Sequence, residues 1–260
     1  MGNYKYMETI FVPIFILLVS LNYVMPCNLT TNFYDKTCPK ALATIKRSVL
    51  ASVSSNPRNA ALLVRLHFHD CFVQLGGKSW PVRLGRRDST TSNPDEANRD
   101  LPRGNFNLSQ LIDNFRRKGL NAREMVALSG SHTIGQARCV TFRGRIYNSA
   151  LNIDPAFNSS LSAICPPTAP NGDGNLRPLD LQTPNRFDNN YFRNLVSSRG
   201  LLISDQVLFN GDSTDSIVTE YVQNPSAFDK DFASAMIKMG EIDVLTGDAG
   251  IIRSLCSRAS

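Results

Sequence analysis

Histidine is scarce in this chain: 260 residues contain three, His67, His69 and His132. Any chemistry that needs an imidazole must use one of them. The six cysteines, at 27, 38, 71, 139, 165 and 256, include no CxxC pair, which removes zinc ribbons and thioredoxin-type redox centres. There is no block of five or six like charges, and the 28 Lys and Arg are scattered among 22 Asp and Glu. The excess of +6 favours anionic surroundings without marking a nucleic-acid surface, so nucleic acid is not an expected partner. No internal repeat and no alternation long enough for a large sheet is present. Disorder and collagen-like repeats are excluded by a composition that is 42% hydrophobic and 19% charged.

A membrane-spanning run is also lacking. The apolar stretch Ile10 to Leu21 is too short for a bilayer core of ~30 Å at about 1.5 Å per residue. Pro13 in mid-run and the missing polar face argue against a buried helix as well. The stretch fits the apolar centre of a signal peptide over residues 1–27, leaving 28–260 as the mature chain, secreted and free of the membrane once the signal is cut. Sequons at Asn28-Leu-Thr30, Asn107-Leu-Ser109 and Asn158-Ser-Ser160 agree with a secreted glycoprotein. Loss of Cys27 with the signal leaves an odd number of cysteines, hence at least one free thiol or an intermolecular bridge.

The remaining chain reads as mainly α. Asn56 and Pro57 supply a cap and first residue for a helix over Asn59 to Phe72. Apolar residues at 108, 111, 112 and 115 mark an amphipathic helix that ends at Gly119. Asn121 and Glu124 form a capping-box pattern before Met125-Val-Ala-Leu128. Further helical patterns cover Asp188 to Val196, Ile217 to Val222 and Phe228 to Met239. Leu75 to Asp88 reads as loop with a short strand at Trp80 to Leu84, and Thr90 to Arg99 as polar loop.

Spacing then decides what the histidines can do. On a strand, His67 and His69 would share a face and could join His132 in a three-histidine zinc site. On the expected helix they diverge by about 200°, and Arg65 and His69 share a face instead. An arginine beside a neutral imidazole suits peroxide chemistry: the imidazole moves a proton from the near to the far oxygen, and the guanidinium stabilises the charge that develops. His132, preceded by Gly130-Ser131, is a candidate axial haem ligand that would need an acceptor on its other nitrogen. Asp215 is one candidate among several.

Arg65-Leu-His-Phe-His-Asp-Cys-Phe72 and Leu128-Ser-Gly-Ser-His-Thr-Ile-Gly135 resemble the two haem signatures of the secreted plant (class III) peroxidases. Asn32-Phe-Tyr-Asp-Lys-Thr-Cys-Pro39, Leu84-Gly-Arg-Arg-Asp88, Asp180 to Asp188 and Met239-Gly240 extend the resemblance over nearly all of the mature chain. The resemblance implies a helical haem-peroxidase fold, with haem b between a distal and a proximal half. It also implies oxidation of small phenolic donors by hydrogen peroxide, peroxide removal under oxidative stress, a monomer, and secretion to the cell wall, the extracellular space or the vacuole. By matching positions, His69 is the distal acid/base, Arg65 the transition-state stabiliser and Phe68 the residue at the haem edge. His132 is then the iron ligand, Asp215 its partner and Pro102 a donor-binding residue. Thr133, Asp180, Thr183, the Arg186 carbonyl and Asp188 match the proximal calcium site. Asp70 and the Val73 carbonyl are what remains of the distal one, and Cys139 with Cys165 match a family disulfide.

Relative to that family, roughly 60 to 65 residues are absent between Gln74 and Leu75, while both flanks continue in register. The absent block would carry the rest of the distal calcium site, the asparagine that orients the distal histidine, helices over the haem, and partners of Cys38, Cys71 and Cys256. A truncated distal half implies impaired turnover. The competing readings are a haem-free or inactive secreted calcium-binding glycoprotein and, last, the three-histidine zinc enzyme.

Overall fold

The computed structural model describes residues 29–65, 80–91, 94–148 and 152–253. Helices dominate, and the single sheet among the described residues has two short strands.

The first pair of helices, α1 (Ala41–Ser55) and α2 (Arg58–Arg65), forms an arm. Asn56 caps the second, its Oδ1 accepting from the Arg58 N–H at 3.1 Å. Helix α2 occupies the first part of the helix expected over Asn59 to Phe72, and its continuation lies outside the described residues. Residues 94–100, expected as loop, form α3 (Pro94–Asp100). Pro94 at the first position and the acidic residues that follow are strong starting signals, and the apolar stripe usually sought in a helix is missing there.

Helices α4 (Leu108–Arg117) and α5 (Ala122–Ser129) are each opened by a reciprocal capping box. Asn121 Oδ1 accepts from the Glu124 N–H at 2.9 Å, and Glu124 Oε2 accepts from the Asn121 N–H at 2.8 Å. Such a cap stabilises a helix start by roughly 1 kcal/mol. Met125, Val126 and Ala127 of α5 are fully buried. They lie in a core with α8 (Asn190–Val196), α10 (Asp215–Gln223) and α11 (Pro225–Met239). Phe187, Phe192, Tyr221, Phe228 and Phe232 pack through it in stacked, tilted and edge-to-face pairs, with ring centroids 4.9 to 5.7 Å apart. Outside this core, Arg123 bridges Glu220 and Asp231, tying α5 to α10 and α11.

A second apolar cluster is built on α6 (Cys139–Ile146) and α7 (Pro155–Ser162), with Cys139 joined to Cys165. The strands β1 (Gln136–Arg138) and β2 (Leu176–Pro178) pair antiparallel, Ala137 opposite Arg177, beside this cluster. A four-residue α-helix, α9 (Ile203–Gln206), completes the described helices. Leu84 to Asp88 runs between distant parts of the chain, bridging Thr30 through Leu84, Leu245 through Arg87 and Ile251 through Asp88.

Candidate active site

His132 sits in one turn of 3-10 helix, Gly130–Thr133, that continues α5 and turns the chain toward β1. Gly130 is required there by close approach. A Cβ on it would lie 2.9 Å from Phe192 Cζ and closer still to the Phe228 ring. Gly135 adopts φ +107°, a left-handed conformation that lets the chain swing out of the turn against Ala61 of α2. The aromatic core therefore presses the histidine loop outward in one fixed orientation.

One side of the imidazole is anchored. His132 Nδ1 lies 2.7 Å from Oδ1 of Asp205, a carboxylate that is 1% exposed. The ring itself is about one-third exposed on its other side. Burial pulls the imidazole pKa down, but the charge and hydrogen bond of Asp205 outweigh it and leave the pKa above its ordinary value. A carboxylate on Nδ1 favours the tautomer with its proton there, and so frees the Nε2 lone pair to bind a metal. No hydrogen bond to Nε2 occurs among the described residues.

The partner is Asp205, and this corrects the expectation of Asp215. Asp215 begins α10 and accepts backbone N–H bonds from Asn210 at 3.1 Å and Gly211 at 2.9 Å, a helix-start role at the surface. Asp205 was detectable in the sequence on physical grounds. It stands inside Leu201-Leu-Ile-Ser-Asp-Gln-Val-Leu-Phe209, and an acid buried in an apolar run needs a partner.

Next to His132, Thr133 is fully buried, and its hydroxyl faces three oxygens at once. These are Asp180 Oδ2 at 3.3 Å, Asp188 Oδ1 at 3.4 Å and the Arg186 carbonyl at 3.5 Å. Thr183 Oγ1 lies 3.1 Å from the same Asp180 oxygen. One hydroxyl proton serves at most one of the three, and all three contacts are long, while Asn190 and Asn194 also donate to the carboxylates at 2.8 Å and 2.9 Å. Oxygens bound at 2.3–2.6 Å to a common hard cation would be roughly 3.3–3.7 Å apart at right angles, and an all-oxygen set with two carboxylates suits calcium. The strands set this cluster: Leu179, just after β2, donates its N–H to the Gly135 carbonyl at 3.1 Å, carrying Asp180 to Thr133.

Other expected site residues are only partly reached by the description. Arg65 closes α2. His67, Phe68, His69, Asp70, Cys71 and Val73 lie outside the described residues, as do Cys256 and residues 1–28. Pro102 is exposed in the segment between α3 and α4. Cys139 and Cys165 form the disulfide, and Cys38 is an exposed free thiol. No group of three His, Cys, Asp or Glu suited to a metal occurs among the described residues. No described helix is long and apolar enough to cross a membrane.

Comparison with known proteins identifies the family. The family model described as "Peroxidase" matches residues 73–224. A protein named basic peroxidase, from Zinnia elegans, is 57% identical over 314 residues, covering 97% of this chain and 97% of its own length. Peroxidase 2 of Oryza sativa subsp. japonica is 46% identical over 291 residues, covering 89% and 92%. A lignin-forming anionic peroxidase of Nicotiana sylvestris is 46% identical over 299 residues, with the same coverage. The Zinnia alignment is longer than the 260 residues of this chain, so that relative carries residues which this chain lacks.

Proposed function

From the premise that the chain belongs to the plant (class III) peroxidases, enzymes that oxidise a donor with hydrogen peroxide, we propose that His132 is the axial ligand of a haem b and that Asp205 orients it. Membership implies haem b and calcium in general. The specific assignment rests on one observation, the 2.7 Å contact of His132 Nδ1 with a buried carboxylate, which leaves Nε2 as the donor atom. When bound, the haem supplies the iron at which the peroxide O–O bond is broken.

The protein's own residues do the rest. Asp205 holds the Nδ1 proton and makes Nε2 a better donor. His69 takes a proton from the near oxygen of hydrogen peroxide and returns it to the far one, Arg65 stabilises the charge that develops, and Phe68 borders the haem. Pro102 contributes to a docking surface for small phenolic donors. Thr133, Asp180, Thr183, Asp188 and the Arg186 carbonyl hold the proximal calcium. Asp70 and Val73 alone are too few ligands for a distal one. The protein is a secreted monomeric glycoprotein made with a signal peptide over residues 1–27, and the residues lacking relative to its relatives fall between Gln74 and Leu75. That gap removes cover from the distal side and lowers turnover.

A haem titration of the purified mature chain, followed at the Soret band beside His132→Ala, tests the assignment. Saturable 1:1 uptake that is lost in the variant is expected, with slow turnover of a phenolic donor. Uptake indifferent to His132 would overturn it. Absence of uptake would favour a haem-free calcium-binding glycoprotein.

A further inference from the structure

Asp205 has more than one suitor. Its Oδ1 takes both the His132 Nδ1 contact at 2.7 Å and the Tyr191 hydroxyl at 3.0 Å, while Oδ2 accepts the Leu202 N–H at 2.9 Å. Tyr191 comes from α8, is 1% exposed, and stands edge-on to the imidazole with ring centroids 6.1 Å apart and planes at 85°. Both burial and the Asp205 charge raise the Tyr191 pKa well above its ordinary value, so the hydroxyl is a permanent donor. Arg145, 2% exposed and fixed by the Gly200 and Asn152 carbonyls, adds a buried positive charge that is felt at Asp205.

Two donors on one oxygen share its electron density. Each makes that oxygen a weaker acceptor for the other, in a buried setting where hydrogen bonds polarise one another most. A carboxylate that served His132 alone would draw the Nδ1 proton further toward itself and push more charge onto the ring. With Tyr191 in place, part of that pull is spent elsewhere.

We propose that Tyr191 is a positioning residue which, by donating to the same oxygen of Asp205 as His132, limits the charge that Asp205 pushes into the imidazole and so sets the donor strength of Nε2. This rests on the reading of His132 as the haem ligand and refines it. Tyr191 touches neither iron nor substrate and acts through Asp205.

The test uses Tyr191→Phe and a second variant with 3-fluorotyrosine at position 191, which keeps the ring size and hydroxyl but donates more strongly. In the haem-free chain, proton NMR reads the His132 Nδ1–H resonance. It is expected to move downfield in Tyr191→Phe, as the bond to Asp205 tightens, and upfield in the fluorinated variant. In the haem-loaded protein the ferrous iron–imidazole stretch is expected to rise, and the iron midpoint potential to fall, in Tyr191→Phe, with the opposite signs for 3-fluorotyrosine. A merely structural role would not produce opposite signs from the two variants. An unmoved Nδ1–H resonance in folded variants overturns the proposal, as does a moved resonance beside an unmoved iron–imidazole stretch. Should Tyr191→Phe fail to fold, the fluorinated chain still gives the answer. Should the chain take up no haem, the missing Soret band is the failure of the haem reading, and the NMR arm decides the hydrogen-bond sharing separately.

Discussion

The region from α4 to α11 and the α1–α2 arm contain similar apolar residues, covered to different degrees. In α5, Met125, Val126 and Ala127 are 0% exposed. In α1 only Val49 and Val53 are buried, while Leu42 and Ile45 are 42% and 39% exposed, and Leu62 of α2 is 48% exposed. Burial of apolar surface is the main favourable term in folding, so the first region carries the stability and the arm draws on it. The candidate site is divided the same way: His132, Asp205, Tyr191 and the oxygen cluster lie in the covered region, and Arg65 lies at the end of the arm.

The comparison can be broken most forcefully at the disulfide. Cys139 and Cys165 are 26 residues apart, and opening that loop in Cys139→Ser is expected to cost about 3 kcal/mol in denaturant melts. Leu42→Ser on α1 should change stability by no more than ~0.5 kcal/mol. Comparable losses from the two would mean that the arm is as integral as the rest. Next in size is Gly130→Ala, where the added methyl meets Phe192 and Phe228. A loss of roughly 1–3 kcal/mol is expected, with altered near-ultraviolet circular dichroism from the displaced rings. A silent substitution would show that the aromatic core does not dictate the path of the histidine loop.

The smallest effect is a pH dependence at the edge of the covered region. Hydrogen bonds from Arg99 and then Lys118 hold the Asp100 carboxyl down to about 2 from its ordinary 3.8. Because the folded-state pKa is depressed, the contribution is complete above about 3.8 and is lost as pH falls from there through about 2. Asp100→Asn should flatten that part of the acid melting curve and leave neutral pH almost unchanged. An unaltered acid limb would show the pair to be fully screened.

Much of the covered region was legible beforehand, because its signals are local. The Asn121 and Glu124 cap, the Leu108 stripe and the glycine before His132 each act within a few residues of the structure they create. Helix α1 has no local start signal, since Lys40 offers no side-chain cap. Helix α6 is likewise opened without a side-chain cap, and is fixed by the disulfide and the buried Arg145 rather than by a periodic stripe. Asp205 and Asp215 are distinguished by burial, a tertiary property that only the apolar neighbours of Asp205 betray in the sequence. The oxygen cluster is legible only by resemblance, since no spacing rule brings Thr133 and Asp188 together across a separation of 55 residues.

The segment Leu84 to Asp88 meets Thr30 on one side and Leu245 and Ile251 on the other. During synthesis the first pairing is possible early, whereas the last must wait until residue 251 has been made. The segment therefore gains its first neighbour long before its last. For most of its assembly time the segment between has one fastened end and one open end, a schedule that extends its exposure to proteases and to other nascent chains.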